Sequence, residues 1–205
     1  MKKSTDIATP AFWNQRYASG ETPWVLHKIP AALRFFLKRT RIKGKVLIPG
    51  CGTDYGVIKA FADAGFEVTA IDFSPIALAE TKKALGNFAP SRTGGIMRAD
   101  FFKSDFGRRF DLVYERTFLC AMNPRRWSRY AKRVAELLRP GGKLIGIFFY
   151  GTDPEPPPYP LNKKQAKEIF GKYFRLVRDL KISDSVPMFA GTERWQEWER
   201  AEVKS

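Results

Sequence analysis

From about residue 30 onward the chain alternates short apolar runs with amphipathic stretches. PAALRFFLKRT (30–40) has apolar residues at helical spacing and precedes a first apolar run, VLIPG at 46–50. A helix over 56–64 follows, then a second strand, EVTAID at 67–72, and a helix over 75–85 that Ser74 can cap. A short strand at 95–98 leads into ADFF (99–102), and DLVYER (111–116) reads as the fourth strand. The pattern predicts a helix over 124–138, ended by Arg139-Pro-Gly-Gly. KLIGIFFY (143–150) is nearly all apolar, as a strand buried on both faces requires. EPPPYP (155–160) must be extended, because each proline fixes its own backbone and restricts its predecessor. A helix over 163–170 is followed by FRLVRDLKI (174–182) and TERWQEWERAEV (192–203), read as closing strands. Strict alternation of this kind implies an α/β fold, a parallel sheet with helices on both faces. A ligand is then expected beyond the carboxyl ends of the strands.

One segment carries more than fold information. GKVLIPGCGTDYG (44–56) joins the first strand to the next helix through glycines, and the second strand ends in an acid, Asp72. Such a turn lets the backbone approach a ligand while the amides of the following helix point into the same crevice. An acid about 20 residues beyond the first glycine is placed to accept hydrogen bonds from ribose hydroxyls. The reading is an adenosine cofactor. The spacing of Gly50, Gly52 and Gly56 departs from the dinucleotide fingerprint, so a cofactor without phosphates suits the turn better and a dehydrogenase ranks low.

Composition bounds the picture. The 205 residues suffice for one well-buried domain, and 44% hydrophobic with 28% charged residues describes an ordinary water-soluble chain. No apolar segment follows the N-terminal lysines, and the run LIGIFFY (144–150) is too short to span a bilayer, so no membrane association is expected. Cys51 and Cys120 are the only cysteines, which points to a reducing, cytoplasmic setting; Cys51 is given no catalytic role, and no metal site is expected. The net charge of +15 raises the question of nucleic acid. KRTRIKGK (38–45) carries five cations in eight residues, yet further basic pairs recur at Lys82–Lys83, Arg108–Arg109, Arg125–Arg126 and Lys163–Lys164. Charge dispersed in this way reads as a solvated surface that can also attract small anions, and a monomer is the default.

FWNQRYASGETPW (12–24), VLIPGCGTDYG, the acid of AIDFS, ADFF and YERTFLCAM (114–122) together resemble the thiopurine methyltransferase family, with its plant and bacterial thiol and halide methyltransferases. The similarity runs in order along almost the whole chain and includes RPGGKL before the fifth strand. It implies S-adenosylmethionine as cofactor and the single-domain, Rossmann-like class I methyltransferase fold: a seven-stranded, mostly parallel sheet with an antiparallel last strand. Residues 1–43 would form the cofactor-covering segment and its helix, and 44–205 the core. By the resemblance, Trp13, Tyr17 and Trp24 are cover aromatics, Gly50 is the close-approach glycine and Asp72 the ribose acid. Asp100 and Phe101 match the pair that borders adenine. The spacing of Trp13 and Tyr17 by itself fits equally a helix face packed into the core.

Glu115-Arg116 matches thiopurine-type members, whereas the plant thiol and halide enzymes carry an aromatic residue at the position of Arg116. Arg116 is expected to hold an anionic thiolate near the methyl donor as the catalytic residue, although pairing with an acid would also account for it. Glu115, Phe118 and Tyr159 are expected around the acceptor, a small thiol or related soft nucleophile, with the proline segment as its wall. His27, the sole histidine, follows the cover segment and reads as a solvated loop residue. A nucleic-acid methyltransferase and a non-catalytic adenosine-binding module are the competing readings. The sequence YERTFLCAM stands where amino-methylating enzymes have an Asn-Pro-Pro-aromatic signature.

Overall fold

The structure, a computed structural model, describes residues 9–86, 94–107, 109–152 and 157–201. Glu155 and Pro156 of the proline segment, Arg108 and both chain ends therefore lie outside the described residues. Seven strands form one sheet: β1 (Gly44–Pro49), β2 (Phe66–Asp72), β3 (Gly95–Arg98), β4 (Phe110–Arg116), β5 (Leu138–Phe149), β6 (Phe174–Lys181) and β7 (Glu193–Arg200). Their spatial order is β3-β2-β1-β4-β5-β7-β6. The first five run parallel, and β7 is antiparallel to both β5 and β6. The order reverses between β1 and β4, so a crevice opens there beyond the carboxyl edge.

Each face of the sheet is covered because the central strands β1, β2, β4 and β5 are apolar on both sides. Leu47, Val113 and Leu144 pack with Trp127, Tyr130 and Val134 of α5 (Trp127–Leu137) and with Phe170 of α6 (Lys163–Phe170). Val46, Ile48, Leu112 and Tyr114 point the other way, onto Leu33 and Phe36 of α2 (Ala31–Arg39) and Phe61 of α3 (Tyr55–Asp63), with Leu78 of α4 (Pro75–Leu85) in the same cluster. Burying one such side chain contributes about 1.5–3 kcal/mol. Ser74 caps α4 as expected, its hydroxyl accepting from the Ala77 amide at 3.2 Å.

Two boundaries differ from the sequence pattern. The helix predicted over 124–138 divides into a 3-10 turn, Pro124–Arg126, and α5, which stops at Leu137. Leu138 already pairs with Phe110, and the register then jumps to Lys143 opposite Leu112. Arg139-Pro-Gly-Gly is absorbed in that irregularity and opens β5 instead of acting as a separate stop. The N-terminal aromatic segment is helical: α1 (Pro10–Ser19) ends at Gly20, which takes the left-handed conformation at φ 71°. It docks on the start of α4, where the Ser74 hydroxyl donates to Asn14 Oδ1 at 2.6 Å.

Candidate active site

The glycine turn after β1 and the acid after β2 meet at the crevice. Gly50 and Gly52 have φ of 60° and 50°, conformations that L side chains rarely adopt. A β-carbon on Gly50 would stand 2.3 Å from the Phe118 ring, and one on Gly52 2.6 Å from the Tyr17 hydroxyl. These glycines thus make room for two side chains of the protein itself. Asp72 is 5% exposed and accepts backbone N–H groups from Gly52 at 3.0 Å and Ser74 at 2.8 Å, one on each carboxylate oxygen. Burial pushes its pKa up, and the amides of Ser74, Gly52 and Phe73 pull it back. Each oxygen keeps acceptor capacity in a fixed orientation.

Above this floor lies an aromatic cover. Trp24 meets Trp13 edge-on with ring centroids 5.6 Å apart, and Tyr17 edge-on at 6.1 Å. Phe12 stands edge-on to Trp13 at 5.1 Å. Tyr17 is buried, and burial together with the nearby Asp72 carboxylate drives its pKa well above the usual phenol value, so it stays neutral. Trp13 and Tyr17 share a helix that docks on α4, and both side chains line the cavity.

The cavity enclosed between floor and cover has a volume of about 250 Å³. Trp13, Tyr17, Trp24, Gly50, Asp72, Asp100, Phe101 and Phe118 all line it, so the structure brings together eight residues singled out from sequence. Phe101 is buried and stands edge-on to Phe118 at 5.4 Å. Exposed Asp100 turns its Oδ1 onto the Phe102 amide at 2.8 Å. Pro157 and Pro158 contribute the far wall. Arg133 of α5 fastens the loop that carries these residues, donating Nε–H to the Phe101 carbonyl at 3.1 Å.

Glu115, Arg116 and Tyr159 are not on that wall. Arg116 ends β4 beneath it: its guanidinium is paired with Asp54 at 3.2 Å and donates to the Trp24 carbonyl at 3.0 Å. Both partners line the cavity, whereas Arg116 itself, 5% exposed, does not. A buried guanidinium must be paired, and the nearest acid and carbonyl have claimed it. Glu115 is turned inward, accepting the Phe118 and Leu119 amides on Oε1, each at 2.9 Å, and the Tyr130 hydroxyl on Oε2 at 2.7 Å. Its pKa is pushed up to about 7 by burial, against those three donors. It shapes the turn after β4, in which Thr117 holds a left-handed φ of 58°. Tyr159 packs against the core and donates its amide to the Cys120 carbonyl at 2.7 Å. His27 is exposed and outside the cavity lining. Cys51 lines the cavity, but burial raises its thiol pKa well above the usual value, which keeps it un-ionised.

Sequence reasoning passed over Asp54, Thr117, Phe189 and Arg126, all on the cavity wall. Asp54 could have been found, since it closes the glycine turn. Phe189 arrives from a distant 3-10 turn, Pro187–Phe189, that no pattern announced. Arg126 lies over the Phe102 ring at 4.4 Å.

The sheet order, the antiparallel seventh strand and the crevice at the switch point define a class I methyltransferase fold. A solved N-methyltransferase, NodS from Bradyrhizobium japonicum in complex with S-adenosylhomocysteine, superimposes with a TM-score of 0.71 at 15% identity, covering 93% of this chain and 97% of that one. The family model described as thiopurine S-methyltransferase matches residues 8–201, and the chain belongs to that family. Among its relatives, a probable thiol methyltransferase 2 of Arabidopsis thaliana is 32% identical over 138 residues, 67% of this chain and 61% of the relative. The chain thus spans less than two thirds of that relative's length. Thiocyanate methyltransferase 1 of the same plant is 26% identical over 191 residues, 92% of this chain and 84% of the relative. Among the described residues no helix is long and apolar enough to cross a membrane.

Proposed function

We propose that the protein transfers the methyl group of S-adenosylmethionine to small thiols and related soft anions. The observation that carries this reading is the cavity itself: a buried ribose-type acid on its floor, aromatic rings across its mouth and an otherwise apolar far wall. The residues fit the cofactor. Asp72 has an acceptor site to spare on each oxygen for a ribose diol, Phe101 offers a flat surface to adenine, and the edges and faces of Trp13 and Trp24 suit a sulfonium cation. The cofactor supplies an electrophilic methyl group that a sulfur nucleophile can displace directly.

The chain's own contribution is to orient, to exclude water and to keep competing groups neutral. Aligning two reactants can lower a barrier by about 7–11 kcal/mol relative to free encounter. Trp24, Phe118 and Pro158 shape an apolar space for the acceptor. Tyr17 and Cys51, both within reach of a methyl donor on the lining, are held protonated and do not compete as nucleophiles. Arg116 acts at one remove: it ties Trp24 of the cover to Asp54 of the floor and so holds the site closed, while the acceptor meets Phe118 and the prolines. Relatives named for thiol, thiocyanate and thiopurine substrates support an acceptor of this class.

The test is a panel of benzyl thiol, a heterocyclic thione, thiocyanate, iodide and oligonucleotides, with methyl-labelled cofactor. Transfer to the sulfur acceptors is expected. Preferential labelling of the oligonucleotides would overturn the reading and turn the +15 charge into a substrate footprint.

A further inference from the structure

Behind the acceptor wall lies a second, much smaller cavity of about 10 Å³, with Glu115, Thr117, Cys120, Tyr159 and Glu193 among its lining. That is the lower limit of space that holds one ordered water. Thr117 and Cys120 line both cavities, so the two adjoin at these residues. Because β7 is antiparallel, its first residue, Glu193, comes to the carboxyl edge of the sheet opposite Phe149, where β4 also ends.

The two carboxylates of this small cavity are not equivalent. Glu115 is fully engaged by two amides and the Tyr130 hydroxyl. Glu193 is 4% exposed, and its Oε2 has no hydrogen-bond partner at normal distance, nor has the Ser185 hydroxyl beside it. An unpaired acceptor so deeply buried costs roughly 1–3 kcal/mol and calls for a reason. The cavity supplies what a water needs: Glu193 Oε2 as an unclaimed acceptor, and the Thr117 hydroxyl, which donates its own proton to the Arg116 carbonyl at 2.7 Å and so is free to accept from the water.

We propose that Glu193, through a water held between its Oε2 and Thr117, accepts the proton that a thiol loses on methylation. The inference rests on the thiol reading above. In the balanced step the new S–C bond forms as the bond from methyl to the sulfonium sulfur breaks. The S–H electron pair stays on the acceptor sulfur, and the proton passes to the water while the water's own proton passes to the Glu193 carboxylate. Glu193 does not touch the reactants; it is a positioning residue that acts through water.

Its surroundings suit the task. Burial raises the Glu193 pKa, as does Asp184 beside it, while the Ser185 hydroxyl and the Arg116 guanidinium hold the rise in check. Tyr114, Glu115 and Cys120 also face this region, and burial keeps the Tyr114 and Cys120 protons in place. A carboxyl group moved toward neutrality is a better proton acceptor there than one at its ordinary value.

The test compares acceptors with and without a proton. Glu193→Gln should lower kcat/KM for benzyl thiol by on the order of 100-fold below that thiol's own pKa, the low end for proton-transfer catalysis. Iodide and thiocyanate, which carry no proton, should keep their parent rates within about twofold, the scatter expected when transition-state contacts are untouched. The thiol deficit should close as pH rises past the thiol pKa, and Glu193→Asp should recover part of the rate. Equal losses for thiol and iodide would mark a structural role and overturn the proposal, as would an unchanged thiol rate. A second measurement covers a variant that fails to fold. In a single turnover of benzyl thiol by the parent holding S-adenosylmethionine, infrared difference spectra should show a new protonated carboxyl band that rises with methyl transfer; its absence overturns the proposal. Failure of the thiol reading itself is separately visible, since the parent would then not methylate benzyl thiol at all.

Discussion

Arg116→Met removes a guanidinium whose side chain is 2% exposed and leaves Asp54, 22% exposed at its side chain, beneath the cover without a counter-charge. Breaking a buried pair from one side costs about 3–5 kcal/mol, and the partial exposure of Asp54 favours the lower end, about 3 kcal/mol. For a chain of this size each kcal/mol lowers the melting temperature by about 2–4 °C, so a drop of roughly 6–12 °C is expected. The deficit should depend on pH. In the parent, burial raises the Asp54 pKa and Arg116 opposes the rise. Without Arg116 the folded value moves further above the unfolded one. The destabilisation is then smallest in acid, where Asp54 is protonated in both states, and grows as pH rises through the folded pKa.

The same variant loses the charged hydrogen bond to the Trp24 carbonyl, worth about 1.5–3 kcal/mol, so the cover is no longer pinned. Affinity for S-adenosylhomocysteine should fall about tenfold or more, each factor of ten corresponding to about 1.4 kcal/mol. Thermal unfolding at roughly pH 5 and pH 8 and binding calorimetry read both effects. The double variant Arg116→Met, Asp54→Asn should regain part of the stability, because the stranded charge is gone. An Arg116→Met protein with parental melting and cofactor binding, but slow transfer to thiols alone, would refute this reasoning and return Arg116 to the acceptor.

Asp72→Ala should weaken S-adenosylhomocysteine binding by about 1.5–3 kcal/mol in calorimetry, since a charged acceptor is lost and the Gly52 and Ser74 amides lose their anchor. Parental affinity would remove Asp72 from the cofactor site. Gly52→Ala combines a φ of 50° with a β-carbon 2.6 Å from the Tyr17 hydroxyl, and should cost about 1–3 kcal/mol in denaturant unfolding. Adding Tyr17→Phe should recover the steric share, and no recovery would mean the backbone alone sets the cost. Glu115 has a folded pKa raised from 4.5 to about 7. Its contribution to stability is therefore full below about pH 4.5 and lost as pH rises through about 7, a difference of roughly 3 kcal/mol. Glu115→Gln should flatten the stability profile across that window, and identical profiles would show that the group titrates normally.

What the sequence disclosed and what it hid divide along physical lines. The strands of the sheet were legible because each is a continuous apolar or alternating run, and Asp72 was legible because a strand ending in an acid after a glycine turn has few other uses. The end of α5 was misplaced because Leu138 suits a helix and a strand equally. Its pairing with Phe110, a contact that no local pattern encodes, decided the matter. The role of Arg116 depended on its partner. Asp54 lies 62 positions away along the chain and Trp24 lies 92, and neither spacing leaves a mark in the residues around Arg116. That Trp13, Tyr17 and Trp24 line one cavity was legible through family resemblance alone, since helical spacing fits packing and binding alike.

The distribution of charge follows from the same structure. The surface carries the excess that makes the chain +15, while the acids at the carboxyl edge, Asp54, Asp72, Glu115 and Glu193, face inward with pKa values raised by burial. Arg116 is the cation set among them. In the proposed reaction, methyl transfer from a sulfonium to an anion, each arrangement suits one of the two reactants. The basic exterior draws small anions toward the protein, an effect that weakens with salt over about 10 Å at moderate ionic strength. The acid-lined floor favours a cation inside, and the apolar wall of Phe118, Pro157 and Pro158 removes water from the anion once it arrives. On the proposed reading the surface charge and the buried charge serve the two reactants separately, and raising ionic strength should slow capture of an anionic acceptor while leaving cofactor affinity nearly unchanged.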